Sequence, residues 1–243
     1  QKPMAPTWAE ATAMVNAAER SGIPLMIHEN WRWQPWYRQA KNVIEAGEIG
    51  HPLNYLFRIT KRDGLGSSPY PDQPYFRQMP RLLIYETIVH HIDTARFLFG
   101  EIASVYAQAR KINQAIAGED QALLLLTHQS GLIGSIQGHR YLDTIPPGPV
   151  LGDAFFDGDR ARLTVLPTGD LLVGPQVRWS NDVTTGYRGD SVLATQQHFI
   201  DCLKTGQTFE SASREYLRTV AVVEAAYQSI AQRRPVELGA TKR

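Results

Sequence analysis

The period of the apolar residues changes several times along this 243-residue chain, and each change marks an element. Between Thr7 and Gly22 apolar side chains recur at Ala11, Met14, Val15 and Ala18, which is one face of a helix. Thr7 followed by Glu10 forms a capping box that starts this helix. Gly22 closes it and Pro24 prevents continuation. "PLMIHEN" at 24–30 then reads as a buried strand. Loop, helix and strand in that order are a piece of a parallel α/β layer, which needs strands before Gln1 or another surface to cover it.

The pattern then shifts. "PWYRQAKNVIEAG" at 35–47 is a helix with Pro35 at its start and Gly47 at its end. "HPLNYLFRITKR" at 51–62 alternates as a strand, and the Pro- and Gly-rich "DGLGSSPYPDQPYF" at 63–76 reads as a site lid or an interface loop. A long helix covers 83–99. Strands follow at "SVYAQARK", "DQALLLLTH" and "LIGSIQGHR", the last two joined by the hairpin signal "QSG". "RLTVLPTGDLLVG" at 162–174 is a second hairpin, turning at "PTGD". Helices close the chain at "TQQHFIDCLKTG" and "SREYLRTVAVVEAAYQSIAQ". The predicted class is α+β: a mostly antiparallel open sheet with helices on one face.

Composition narrows the function. With 25 basic and 24 acidic side chains the net charge is +1, so no field favours nucleic acid or a membrane surface as partner. The longest apolar run, "ALLLL" at 122–126, is far below a spanning length, and no signal-peptide pattern opens the chain, so a cytoplasmic location is the simplest expectation. Cys202 is the single cysteine, which excludes an intrachain disulfide and a cysteine-based zinc site. It reads as a small buried thiol, because Asp201 beside it disfavours the thiolate that His198, one turn earlier, would otherwise promote.

Candidate chemistry concentrates in "IYETIVHHIDTARFLFG" at 84–100. On an α-helix Glu86 and His90 share a stripe with Asp93, while His91 points about 100° away. Spacing alone leaves three readings open. Glu86 and His90 could be an ordinary exposed helix pair. Glu86, His90 and Asp93 could hold a divalent ion, as in a metal-dependent lyase or isomerase, although no further histidine motif supplies another ligand. A carboxylate one turn from His90 could also raise its basicity for general-base work near neutral pH.

The ordered set "QKPMA", "ENWRWQP", "KNVIEAGEIGHP" and "LIYETIVHHIDTARFLFG", with the closing "HFIDCLKTG" and "AYQSIAQRRPVEL", resembles the glucose–fructose oxidoreductase, inositol dehydrogenase and rhizopine-catabolism (Gfo/Idh/MocA) family from residue 1 to about 238. Three positions depart from its pattern. Gln1 stands where the family usually has Glu before Lys-Pro, and Glu86 stands where it usually has Asp. Ile88 also occupies a position where Gly is common. The resemblance implies hydride transfer between a sugar, polyol or sugar-acid carbinol and NAD or NADP. It implies catalytic roles for Lys2, Glu86 and His90: His90 takes the hydroxyl proton, Lys2 holds the same oxygen, and Glu86 orients or polarises the site. Arg32 in "RWQP" would lie near the nicotinamide and substrate, so cofactor contacts are implied for Lys2 and Arg32. Trp31, Arg32, Arg81, Tyr85 and Tyr141 are the substrate-binding candidates. Trp31, Trp33 and Trp36 could stack on a sugar, although core packing is the better reading of all three, and His139 and Arg140 are weaker candidates.

A dinucleotide fold also needs a Gly-rich turn after its first strand. "GLGSSP" at 64–69 lacks the third glycine and has Pro69 where a helix should start. The expectation is therefore a fragment. Residues 1–30 would be the end of a Rossmann dinucleotide-binding domain, 31–243 a substrate-binding and oligomerisation domain, and the main NAD or NADP site would lie upstream of residue 1. A non-catalytic binding or oligomerisation module of the same fold is the alternative. One face of the sheet needs cover that helices on the other cannot give, so a homodimer or homotetramer through the sheet is expected.

Overall fold

The computed structural model describes residues 1–182 and 186–239. Helix α1 (Trp8–Ser21) begins where the capping box places it. Glu10 N–H donates to Thr7 Oγ1, and the Glu10 carboxylate accepts from the Thr7 N–H. Gly22 ends it in the left-handed conformation, at φ 67°. Helix α2 (Pro35–Glu45) has proline at its first position, which costs no hydrogen bond.

Among the described residues nine strands form one sheet: β1 (Pro52–Thr60), β2 (Ile102–Arg110), β3 (Gln121–His128), β4 (Ile133–His139), β5 (Asp153–Gly158), β6 (Arg162–Val165), β7 (Leu171–Val173), β8 (Gln176–Trp179) and β9 (Val236–Glu237). Their order is β8-β7-β6-β5-β1-β4-β3-β2-β9. Among the described residues only β1 and β4 pair in parallel; the β3–β4 and β6–β7 hairpins fall where the turn signals put them. The sheet is mixed and mostly antiparallel, as expected.

Alternation along the strands separates two faces. Tyr55, Phe57, Ile59, Val105, Leu124, Leu126, Ile136, Phe156 and Leu163 point inward, under α2, α3 (Val89–Phe99) and α5 (Ser213–Gln232). The opposite face carries cross-strand rows such as Phe155–Leu56–Ser135–Leu125–Tyr106. Helix α4 (Ser191–Thr205) packs beside the short 3₁₀ turn at Trp31–Trp33. No helix among the described residues is long and apolar enough to cross a membrane.

Two local expectations need correction. "PLMIHEN" is extended but is not a strand. Its ladder is a single antiparallel bridge between Met26 and Ala212, with Ile27 N–H donating to Ser211 O and Ser213 N–H to Leu25 O. The partner is the short segment leading into α5, too brief to extend a ladder. The apolar face of α1 is covered too: Ala11 and Val15 are fully buried, and α1 packs on α5 within the same core as the sheet. The second correction concerns 83–99. Leu83–Ile88 winds as a π-helix, and the α-helix begins only at Val89. The i→i+5 winding displaces Glu86 from the stripe that α-helical spacing assigns to it.

The loop at 63–76 is pinned rather than loose. Asn113 Nδ2 donates to Gly64 O and Gly66 O, and Tyr70, Phe76, Leu82 and Ile116 form a small second core. Cys202 is buried, and burial with the nearby Asp201 charge pushes its thiol pKa up, as the sequence suggested.

Candidate active site

The start of the 83–99 helix is held from outside. The Glu119 carboxylate accepts from Leu82 N–H and Ile84 N–H at 3.0–3.3 Å, and from Tyr227 Oη at 2.6 Å. It caps a helix start that has no local capping residue. Glu86, in the π-helical segment, then faces the N-terminal strap of the chain. Lys2 Nζ lies 2.5 Å from Glu86 Oε1 and 2.5 Å from Glu86 O. Both side chains retain some exposure, 13% each, so this pair borders solvent.

His90 does not pair with Glu86. Its Nδ1 lies 2.6 Å from Glu29 Oε1, in the extended segment before the Trp31 turn. Trp31 stacks on the imidazole at 4.3 Å between ring centroids, with 16° between planes. His90 is nearly fully buried. Burial, reinforced by the Lys2 charge, holds its pKa well below the usual histidine value and outweighs the opposing pull of Glu86 and Asp93. The resting imidazole is neutral, which is the state a proton acceptor needs.

Asp93 belongs to a third set. Arg32 makes a bidentate contact with it, Nε and Nη2 each 2.7 Å from a carboxylate oxygen, and Thr219 Oγ1 donates to Asp93 at 3.0 Å. Burial acts to lower the Arg32 pKa, but the Asp93 carboxylate outweighs it and the net shift is upward. Glu86, His90 and Asp93 are thus divided among Lys2, Glu29 and Arg32, and do not converge on one point as a ligand set would.

The remaining sequence candidates scatter. Arg32, expected at the cofactor and substrate, is buried with its guanidinium committed to Asp93 and Glu210 O; a buried guanidinium needs such partners more than it can serve a ligand. Trp31 is buried against His90 and supports the ring rather than lying open to a sugar. Arg81 bonds Glu224 at 2.7 Å and lies over the Tyr227 and Tyr85 rings. Tyr85 Oη donates to Ala5 O. Tyr141 stacks on His139 at 4.3 Å, beyond the end of β4. A hollow of about 650 Å³ lies on the uncovered sheet face between Arg58, Gln108, Leu123 and His139, away from His90.

Sequence reasoning missed Glu29, Glu119 and Tyr216. Glu29 carried one signal, an acidic residue inside an otherwise buried run, immediately before the "NWRWQP" motif. Arg140, a weaker candidate in the sequence, is buried. It holds Asp63 at 2.5–2.6 Å and donates to Thr87 Oγ1 at 3.2 Å, tying the 63–76 loop to the Glu86 turn.

A family model, the GFO/IDH/MocA C-terminal domain, matches residues 37–145. A D-apiose dehydrogenase of Rhizobium rhizogenes (strain K84) is 36% identical over 99% of this chain and 72% of its own length. A second D-apiose dehydrogenase, from Paraburkholderia graminis, is 34% identical over 98% of this chain, which spans only 65% of that relative. Among solved structures, an oxidoreductase from Agrobacterium radiobacter in complex with NAD+, L-tartaric acid and magnesium superposes with a TM-score of 0.85. It is 34% identical, over 98% of this chain and 72% of that one.

Proposed function

The chain belongs to the Gfo/Idh/MocA family, and on that premise we propose that it is the substrate side of a nicotinamide-dependent sugar dehydrogenase. The substrate class is a sugar, polyol or sugar-acid carbinol, with D-apiose the first candidate because two relatives at 34–36% identity bear that name. One observation carries the proposal. Lys2, from the N-terminal segment, anchors its ammonium on Glu86, one turn before the buried His90 with its one uncommitted ring nitrogen, and close enough for the Lys2 charge to act on His90.

In this reading the substrate hydroxyl gives its proton to His90 Nε2 while the hydride leaves its carbon, so the C–O bond becomes a carbonyl. Lys2 donates a hydrogen bond to that oxygen and stabilises the negative charge that develops on it. Glu86 fixes the ammonium. The nicotinamide ring, when bound, supplies the hydride acceptor.

The residues present fit only that reacting end. Gly64 and Gly66 offer their carbonyls to Asn113, and no helix begins behind them, so "GLGSSP" cannot cradle a pyrophosphate. In this proposal the cradle belongs to the length of the relatives that the chain does not span. Residues 1–30 are then the end of the dinucleotide domain, docked on α5, and residues 31–243 the substrate and oligomerisation domain. Self-association uses the uncovered sheet face.

The test is nicotinamide-linked turnover by the protein expressed from its complete reading frame, over D-apiose, other aldoses, polyols and sugar acids. Reduction of NAD or NADP with at least one of them is the expected result. No reduction across the panel leaves the non-catalytic binding module as the better reading.

A further inference from the structure

Glu29 is fully buried and has three hydrogen-bond partners. His90 Nδ1 is 2.6 Å from Oε1, Trp31 N–H donates to Oε1 at 2.9 Å, and Tyr216 Oη donates to Oε2 at 3.0 Å. Tyr216 is itself buried on α5, so the carboxylate is gripped from two elements. Nothing in the reaction described above explains why an acidic side chain should be enclosed there. An isolated buried carboxylate is costly, and the site keeps it only because each oxygen is satisfied.

We infer that Glu29 is the positioning residue for His90, fixing the imidazole as the Nδ1–H tautomer so that the Nε2 lone pair is the proton acceptor. The inference rests on His90 being the base of the proposed reaction. An ionised carboxylate has no proton to give, so a nitrogen held against it must be the one that carries the hydrogen. The other ring nitrogen is then left unprotonated. Trp31, stacked on the ring, prevents the rotation that would exchange the two nitrogens. When Nε2 takes the substrate proton an imidazolium forms in a buried site. The Glu29 charge offsets the burial and the Lys2 repulsion that otherwise disfavour it. Burial raises the Glu29 pKa and outweighs the opposing Trp31 N–H, Lys2 charge and Tyr216 O–H; a protonated Glu29 donating to Nδ1 would leave the Nε2–H form, the outcome that overturns the inference.

Histidine nitrogen chemical shifts in the folded protein decide the tautomer without cofactor or substrate. The His90 signal is assigned by its loss in His90→Gln. The expected result is the Nδ1–H form. An Nε2–H form would overturn the inference, whatever the enzyme then proves to do. Glu29→Gln is the second arm, because it keeps the shape and an acceptor oxygen but removes the charge. In the active protein kcat should fall about 10²-fold with KM nearly unchanged. Unaltered kcat in folded Glu29→Gln would also sink the inference. If the unmutated protein turns over no sugar, the reaction reading fails on its own, and the tautomer still reports whether Glu29 sets the ring.

Discussion

His90 Nδ1 sits 2.6 Å from Glu29 Oε1, sixty-one residues away in sequence, although Glu86 is only four residues distant. The nearer carboxylate is taken by Lys2. Two acidic residues therefore divide the work around one helix: Glu29 behind the imidazole, Glu86 beneath the ammonium. This division gives the adjacent histidines different surroundings and sets the first expectation.

His90→Ala should abolish turnover of the active protein, whereas His91→Ala should act on stability. His91 is buried edge-on to Phe57 at 5.6 Å and tilted against Trp31 at 5.7 Å. Its truncation should cost about 1–3 kcal/mol. Urea midpoints and kcat for both variants check this, and equal kcat losses in folded proteins would contradict it.

Arg32 should prove a structural cation. Arg32→Met leaves the Asp93 carboxylate buried without its partner, and breaking such a pair costs about 3–5 kcal/mol. Arg162→Ala removes a comparable bidentate contact to Asp157, but Arg162 is more than half exposed, and the loss should be about 0–1 kcal/mol. Similar denaturation midpoints for the two variants would show that the Arg32 site is wetter than its geometry indicates.

Stability should fall as the solution is acidified, in part through His91. Burial lowers its pKa from 6.5 to about 3. Between those values the unfolded chain binds a proton that the folded chain refuses. The stability present above the unfolded pKa is therefore lost as pH falls towards the folded one, by up to about 1.4 kcal/mol per pH unit. His91→Phe should flatten the slope of unfolding free energy between about pH 6 and pH 4 by close to one proton. An unchanged slope in a folded variant would place that proton elsewhere.

The uncovered sheet face should associate with another copy. Leu123, Leu125 and Ile133 are 40–57% exposed there, and Leu125 lies in the Phe155–Leu56–Ser135–Leu125–Tyr106 row. Light scattering at micromolar concentration should report a dimer or tetramer, and Leu125→Glu should lower the mass while circular dichroism stays unchanged. A monomeric mass for the unmutated chain would refute this.

The 243-residue chain alone should bind NAD and NADP only weakly. Its glycine loop presents carbonyls to Asn113 where a dinucleotide site would present N–H groups. Isothermal titration with both dinucleotides measures this directly; micromolar affinity for either would reveal a site in these residues.

What the sequence determined by itself was local. The Thr7–Glu10 box, the span of α5, the two hairpins and the alternation that gives the sheet a buried and an open face were all legible, because caps, turns and side-chain periods are written within a few residues. Membership of the family was legible as motif order. Tertiary structure alone decided which group Lys2, Glu86 and His90 each meet. α-Helical spacing joined Glu86, His90 and Asp93, but external bonds from Glu119 hold the start of a π-helical turn, and three distant residues, Lys2, Glu29 and Arg32, each claimed one of them. The reason is energetic. A buried charge must be paired wherever the packed chain brings a partner, and that distance is set by the fold, not by the spacing.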